Sequence, residues 1–139
     1  MMINTYLAFS GNCKDAFQYY ERALGGKIKF MMTHADSPMA DKTAPDWKDK
    51  IMHAALETPG GLLIGADHPQ GRTVKPAGFC VSVTVKDVAE GERIFKELSD
   101  GGQVQAAFQK TFWSPGFGMC VDKFDVPWMV NTEAPAQSS

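Results

Sequence analysis

Few residues in this 139-residue chain could do chemistry, and they are scattered. The three histidines, His34, His53 and His68, never stand at the short His-x-x-x-His or His-x-x-Glu spacing that would put two metal ligands side by side. His53 lies among apolar residues, the setting of a hydrogen-bonded structural histidine as readily as a functional one. The three cysteines, Cys13, Cys80 and Cys120, are far apart in apolar surroundings, which predicts reduced, buried thiols. No nucleophile elbow or phosphate-cradling loop is present. Nor is there a glycine-rich methyl-donor or nucleotide loop followed by an acidic strand end. What remains is an aromatic and Met-rich set: Phe9, Phe112, Trp113, Phe117, Met119, Trp128 and Met129. Tyr6, His53, Ser82, Gln109 and Asn131 are polar groups that could join it. Apolar walls with a few fixed polar groups make a small-molecule pocket, whereas the same residues tightly packed make a core.

The elements that must position these residues follow from periodicity. Residues 2–9 alternate like a strand. Asn12, with Asp15 three residues on, resembles a helix N-cap, and Phe17, Tyr20 and Leu24 follow at helical spacing until Gly25-Gly26. Strands are expected at 27–33, 49–57 and 62–66, with residues 34–50 an irregular connection carrying Pro38, Pro45, Met39 and Trp47. From Gly78 the order starts again. A strand at 79–85 leads to Asp87 and Glu90 as a second cap, then a helix whose apolar face is Val88, Gly91, Ile94, Phe95 and Leu98. Strands at 103–109, 118–121 and 126–131 complete it. Asp125 suits a left-handed turn residue, and Pro127 predicts a sheet edge or a bulge. Asn12 and Asp87, Tyr20 and Phe95, and Ala23 and Leu98 each stand 75 residues apart. The chain therefore reads as an α+β protein of two tandem β-α-β-β-β modules, about 2–68 and 78–131, in one 1–139 domain. A polar linker is expected at about 69–77 and a frayed tail at 132–139.

Those duplicated elements, with Tyr6-Leu7-Ala8-Phe9, Gly11-Asn12, Leu24-Gly25-Gly26, Met52-His53-Ala54, Thr111-Phe112-Trp113, Phe117-Gly118-Met119 and Pro127-Trp128-Met129-Val130-Asn131, resemble the PhnB-like branch of the vicinal oxygen chelate superfamily (glyoxalases, bleomycin-resistance proteins, dioxygenases). The resemblance implies sheets curved into half-barrels around a cavity. It makes Tyr6, Phe9, His53, Ser82, Phe112, Trp113, Phe117, Met119, Trp128, Met129 and Asn131 the expected pocket lining. Metal-dependent members carry His and Glu ligands on the first and last strand of each module. The corresponding positions here are Thr5, Ile64 or Gly65, Cys80 and Met129, which do not make a site for a hard or borderline divalent cation. The implied function is metal-independent binding of a small hydrophobic or planar ligand, with no cofactor. The alternative is a divalent-metal lyase, isomerase or dioxygenase.

Composition limits the partners. Hydrophobic residues make up 44% and charged residues 22%, as in a globular domain, and the net charge of −2 offers no basic face for nucleic acid. No apolar run approaches the ~18 residues of a membrane span, and the N-terminus lacks a signal-peptide pattern, so a cytoplasmic location is expected. A homodimer is expected too, because curved sheets leave edges that need cover.

Overall fold

A computed structural model describes residues 1–69 and 75–134. The chain divides into two compact units, Met1–Val74 and Lys75–Ser139. Parts of the expected linker (70–74) and tail (135–139) lie outside the described residues.

The first unit runs β1 (Thr5–Phe9), α1 (Cys13–Leu24), β2 (Lys27–Thr33), β3 (Ile51–Thr58) and β4 (Gly61–Asp67). Its sheet has the order β1-β4-β3-β2, with β1 and β4 parallel and the other pairs antiparallel. The second unit repeats this with β5 (Val81–Val85), α2 (Val88–Ser99), β6 (Gln103–Gln109), β7 (Phe117–Val121) and β8 (Pro127–Thr132), in the order β5-β8-β7-β6. These two four-stranded mixed sheets are the β-α-β-β-β modules that the sequence predicts.

Each helix buries one stripe against its own sheet. In α1 the stripe is Cys13, Ala16, Phe17, Tyr20 and Ala23, and in α2 it is Gly91, Ile94, Phe95 and Leu98. Both helices sit close because a strand glycine faces an aromatic ring. A Cβ on Gly65 would lie 2.9 Å from Phe17, and one on Gly118 would lie 2.8 Å from Phe95.

Several local expectations change. Met1, Met2 and Ile3 are exposed, so β1 begins only at Thr5. Likewise β5 begins at Val81 and leaves Phe79 outside it, 58% exposed. Asn12 makes no side-chain cap bond. Its part is taken by Asp67 at the end of β4, whose Oδ1 accepts from the N–H groups of Gly11 and Cys13. Asp87 does cap α2, accepting from the Glu90 N–H at 2.8 Å. Asp125 adopts φ 69°, as its type suggests. Pro127 stands in a central strand rather than at an edge or bulge. As the first residue of β8 its missing N–H interrupts no ladder further along. Thr132, expected in the tail, is the last residue of β8 and is buried.

Candidate functional site

Strand alternation sorts the side chains of the second unit between two faces. On β8, Trp128, Val130 and Thr132 are buried beneath α2, while Pro127, Met129 and Asn131 point the other way and are half-buried. On β7, Gly118 and Cys120 face the helix, and Phe117, Met119 and Val121 face away. The ladder then builds two cross-strand rows on the face turned from α2, Ser82–Met129–Met119 and Thr84–Asn131–Phe117. Trp113 reaches this face edge-on to Phe117 at 5.3 Å, and Phe112, 97% exposed, rests on Trp113 at 4.7 Å. Gln103, Gln105 and Gln109 of the edge strand β6 flank it, since Gln103 pairs with Val121 and Gln109 with Phe117. The floor is apolar, the margins are amide and hydroxyl, and none of these residues is charged. Asn131 Oδ1 is buried without a hydrogen-bond partner among the described residues.

Six of the residues expected in the lining therefore come together here: Ser82, Trp113, Phe117, Met119, Met129 and Asn131. Tyr6 and His53 belong to the first unit, on its sheet face turned from α1. There the Tyr6 hydroxyl and His68 Nε2 hydrogen-bond at 2.7 Å, and His53 lies against Phe30 at 5.6 Å. Phe9 and Trp128 point to the helices instead. Phe9 packs edge-on to Phe17. Trp128 is 1% exposed and donates its Nε1–H to Asp122 Oδ2 at 2.8 Å. The same alternation that lifts Met129 out of the core drives Trp128 into it.

The positions where the superfamily places metal ligands fail on side chain, and Thr5 and Gly65 fail on direction as well. Thr5 shares its parity with the buried, helix-facing Leu7 and Phe9. Of the alternatives Ile64 and Gly65, the first is a hydrocarbon, and the second has no side chain and faces Phe17. Cys80 and Met129 offer only sulfur: a thiolate can bind zinc, but one thiol and one thioether do not complete a three-ligand site. Among the described residues, no three His, Cys, Asp or Glu side chains form a group that could hold a metal ion. The residues present do not fit the ion.

No cysteine is disulfide-bonded. Burial, reinforced by the Asp67 charge, holds the Cys13 thiol well above its ordinary range. Burial and then Asp122 push Cys120 up to about 12. Neither is a thiolate nucleophile near neutrality.

A cleft of about 850 Å³ opens at the β7–β8 turn end of the second unit. The segment 75–80, the Gly101-Gly102 turn and the 121–125 turn bound it, and Gln103, Gln105 and Met119 form its floor. Of the expected lining only Met119 touches it, and of the superfamily ligand positions only Cys80. Sequence reasoning missed Lys75, Phe79, Gln103, Gln105 and Lys123. Amides at 103, 105 and 109 were a usable signal, marking a strand whose exposed face is polar but uncharged. Nothing local to residues 75–79 ties them to a strand so distant in sequence.

The model of the family described as 3-demethylubiquinone-9 3-methyltransferase matches residues 1–131. Protein YjdN of Escherichia coli K12 is 34% identical over 94% of this chain and 95% of its own length. The crystal structure of PA1353 from Pseudomonas aeruginosa is 43% identical over 96% of this chain and 98% of that one, with a TM-score of 0.87. A PhnB protein from Bacillus cereus superposes with a TM-score of 0.80 at 22% identity, covering 96% of this chain and all of its own. A glyoxalase/bleomycin resistance/dioxygenase domain from Frankia shares the fold alone, with a TM-score of 0.63 at 13% identity over 95% and 94% of the two chains. Among the described residues no helix is long and apolar enough to cross a membrane.

Proposed function

We propose, from the premise that this chain belongs to the PhnB-like family of the glyoxalase/bleomycin resistance/dioxygenase superfamily, that it binds a small hydrophobic or planar molecule without a divalent metal. The binding surface is the face of the second sheet turned from α2. Its uncharged floor of Phe117, Met119 and Met129 supplies apolar contact, and Ser82, Asn131 and the β6 glutamines supply orientation. The observation that carries this reading is the donor set at the superfamily's ligand positions. A hydroxyl and a glycine turned toward a helix, a thiol and a thioether cannot polarise a pair of substrate oxygens through a hard cation. The turn between β1 and α1, Ser10-Gly11-Asn12, is not a glycine-rich methyl-donor loop, which speaks against methyl transfer. We place the protein, with its three free thiols, in the cytoplasm as a homodimer, with no nucleic-acid partner.

Native mass spectrometry and elemental analysis of protein purified without a metal-binding tag test the reading together. A bound organic mass with less than one-tenth of an equivalent of Zn, Ni, Fe or Mn is expected. One equivalent of metal surviving dialysis overturns it.

A further inference from the structure

Strand alternation brings one unmet polar group to the open face of the second sheet. Asn131 Oδ1 is closed to solvent and accepts no hydrogen bond from any described residue. In the ladder Asn131 stands between Thr84 of β5 and Phe117 of β7. Thr84 is exposed and makes no bond to the amide, and Phe117 stands between Asn131 and Gln109, the next amide along the row. An unmet buried acceptor destabilises the folded protein, and the loss is recovered when a donor reaches it. Thr132 Oγ1, one residue on, also lacks a partner among the described residues. It points into the packing beneath α2, however, where a Cβ on Gly91 would lie 3.2 Å from it. Of the two, only Asn131 lies where a ligand can come. Its side chain is half-buried and so still meets the open face. The terminal torsion of an asparagine is broad, and a modest turn brings the oxygen out to that face.

The neighbours set the body of such a ligand. Met129 shares the face with Asn131 two residues back along β8, about 7 Å away and roughly the length of two fused rings. Phe117 lies across the ladder from Asn131, with Trp113 edge-on to it at 5.3 Å. The strand residues of this face are uncharged, so none of them offsets a charge brought into contact. We infer that the ligand is an uncharged, planar ring compound whose edge carries an N–H or O–H. That group donates to Asn131 Oδ1 while the rings lie on Phe117 and Met129. This rests on the proposed binding function and adds the polarity and orientation of what is bound.

Two probes with the same two-ring body isolate the donor: 2-naphthol and 2-methoxynaphthalene. The oxygen accepts in both, and only the hydroxyl donates. In calorimetric titrations at neutral pH, where 2-naphthol is uncharged, the wild-type protein should bind it roughly five- to tenfold more tightly than the ether, the size expected when a buried acceptor gains its missing donor. Asn131→Leu should abolish that preference and leave affinity for the ether within a factor of two. The same variant should keep or raise the urea midpoint, because it removes an unmet acceptor and retains apolar volume. Equal wild-type affinities, or a preference for the ether, overturn the donor inference alone and need no variant. A preference that survives Asn131→Leu overturns it too. So does a lowered midpoint, which would show the amide already bonded in the free protein. Binding of neither naphthalene sinks the proposed function and this inference with it.

Discussion

The two units have the same strand order, the same parallel outer pair and the same glycine beneath a helix aromatic, yet each assigns its buried carboxylate a different task. Asp67 ties distant segments. It accepts from Gly11 and Cys13 at the entry to α1 and from Ile51 at the start of β3, contacts spanning 16 to 56 residues. Asp122 works locally, holding the β7–β8 turn through Phe124 and Val126 and fixing the Trp128 indole, all within six residues. The connection after the second strand differs as well. In the first unit residues 34–50 contain three short 3-10 turns and hydrogen-bond back through His34 and Ala35 to Lys50 and Lys48. In the second unit residues 110–116 form a short turn. Ser114 Oγ donates within it to Gly116 O and is also within bonding distance of Thr132 O, which leaves Phe112 and Trp113 displayed. Duplicating a module thus preserves helix-on-sheet packing, while its carboxylates and connections are free to diverge. The faces turned from the helices diverge too: the first carries the Lys29–Glu57 pair and two histidines, whereas on the second the described residues of the strands themselves are uncharged.

The sharpest way to break this comparison is to remove the carboxylates. Asp67→Ala strands three backbone donors and should cost about 4 kcal/mol, at roughly 1–3 kcal/mol for each buried donor left unmade, part of it recovered by water. Asp122→Ala should cost less, about 3 kcal/mol, because a short turn can relax toward solvent where a tie between distant segments cannot. Urea midpoints at unchanged m-value measure both, and equal losses would remove the distinction. Trp128→Leu belongs in the same series. The indole is core, so its truncation should cost on the order of 3 kcal/mol. It should leave N-phenyl-1-naphthylamine affinity within a factor of two, and a larger loss of dye binding would return Trp128 to the pocket.

The buried thiols give a smaller effect with a definite sign. Cys120 is raised from an ordinary 9.0 to about 12, and Cys13 is raised as well. The folded state therefore holds protons that the unfolded state gives up. The stability this contributes is complete below about pH 9 and declines as pH rises toward about 12. Unfolding midpoints should fall between pH 8 and pH 10, less steeply in Cys120→Ala. At pH 8 the native protein should present only Cys80, the half-buried cysteine, to a thiol reagent, with Cys13 and Cys120 reacting after denaturation. Three fast-reacting native thiols would contradict the burial.

Periodicity and glycine punctuation made the fold legible, because both are local. The helices and the 75-residue offset between them could be read from Asn12, Tyr20 and Ala23 against their counterparts. The site was legible only in part. Strand alternation groups Met119 with Phe117 and Met129 with Asn131, but the expected lining was drawn from residue type and resemblance and so also held Phe9 and Trp128, which point at helices. A one-residue difference decides between core and lining on a strand, and composition does not carry it. The cleft was invisible because Lys75 and Phe79 meet Gln103 and Gln105 only once the sheet has formed.

The smallest expected effect separates the two helix starts. By residue type Asn12 and Asp87 are equally good caps, and an isolated peptide of either sequence would use them alike. In the folded chain they are unequal. The Asp87 side chain accepts from Glu90 N–H, whereas Asn12 contributes only its backbone carbonyl, which accepts from the Ala16 N–H at 3.0 Å. Replacing Asn12 by alanine keeps that carbonyl and removes nothing else that binds the helix, since Asp67 already serves Gly11 and Cys13. Asp87→Ala should therefore cost about 1 kcal/mol and Asn12→Ala no more than about 0.3 kcal/mol. The double variant Asn12→Ala/Asp67→Ala makes the test independent of these absolute values. If Asp67 has taken over the cap, its loss should cost the same with or without Asn12. If removing Asn12 makes the Asp67 loss substantially worse, the side chain at position 12 is a reserve cap after all, and the two units start their helices by the same device.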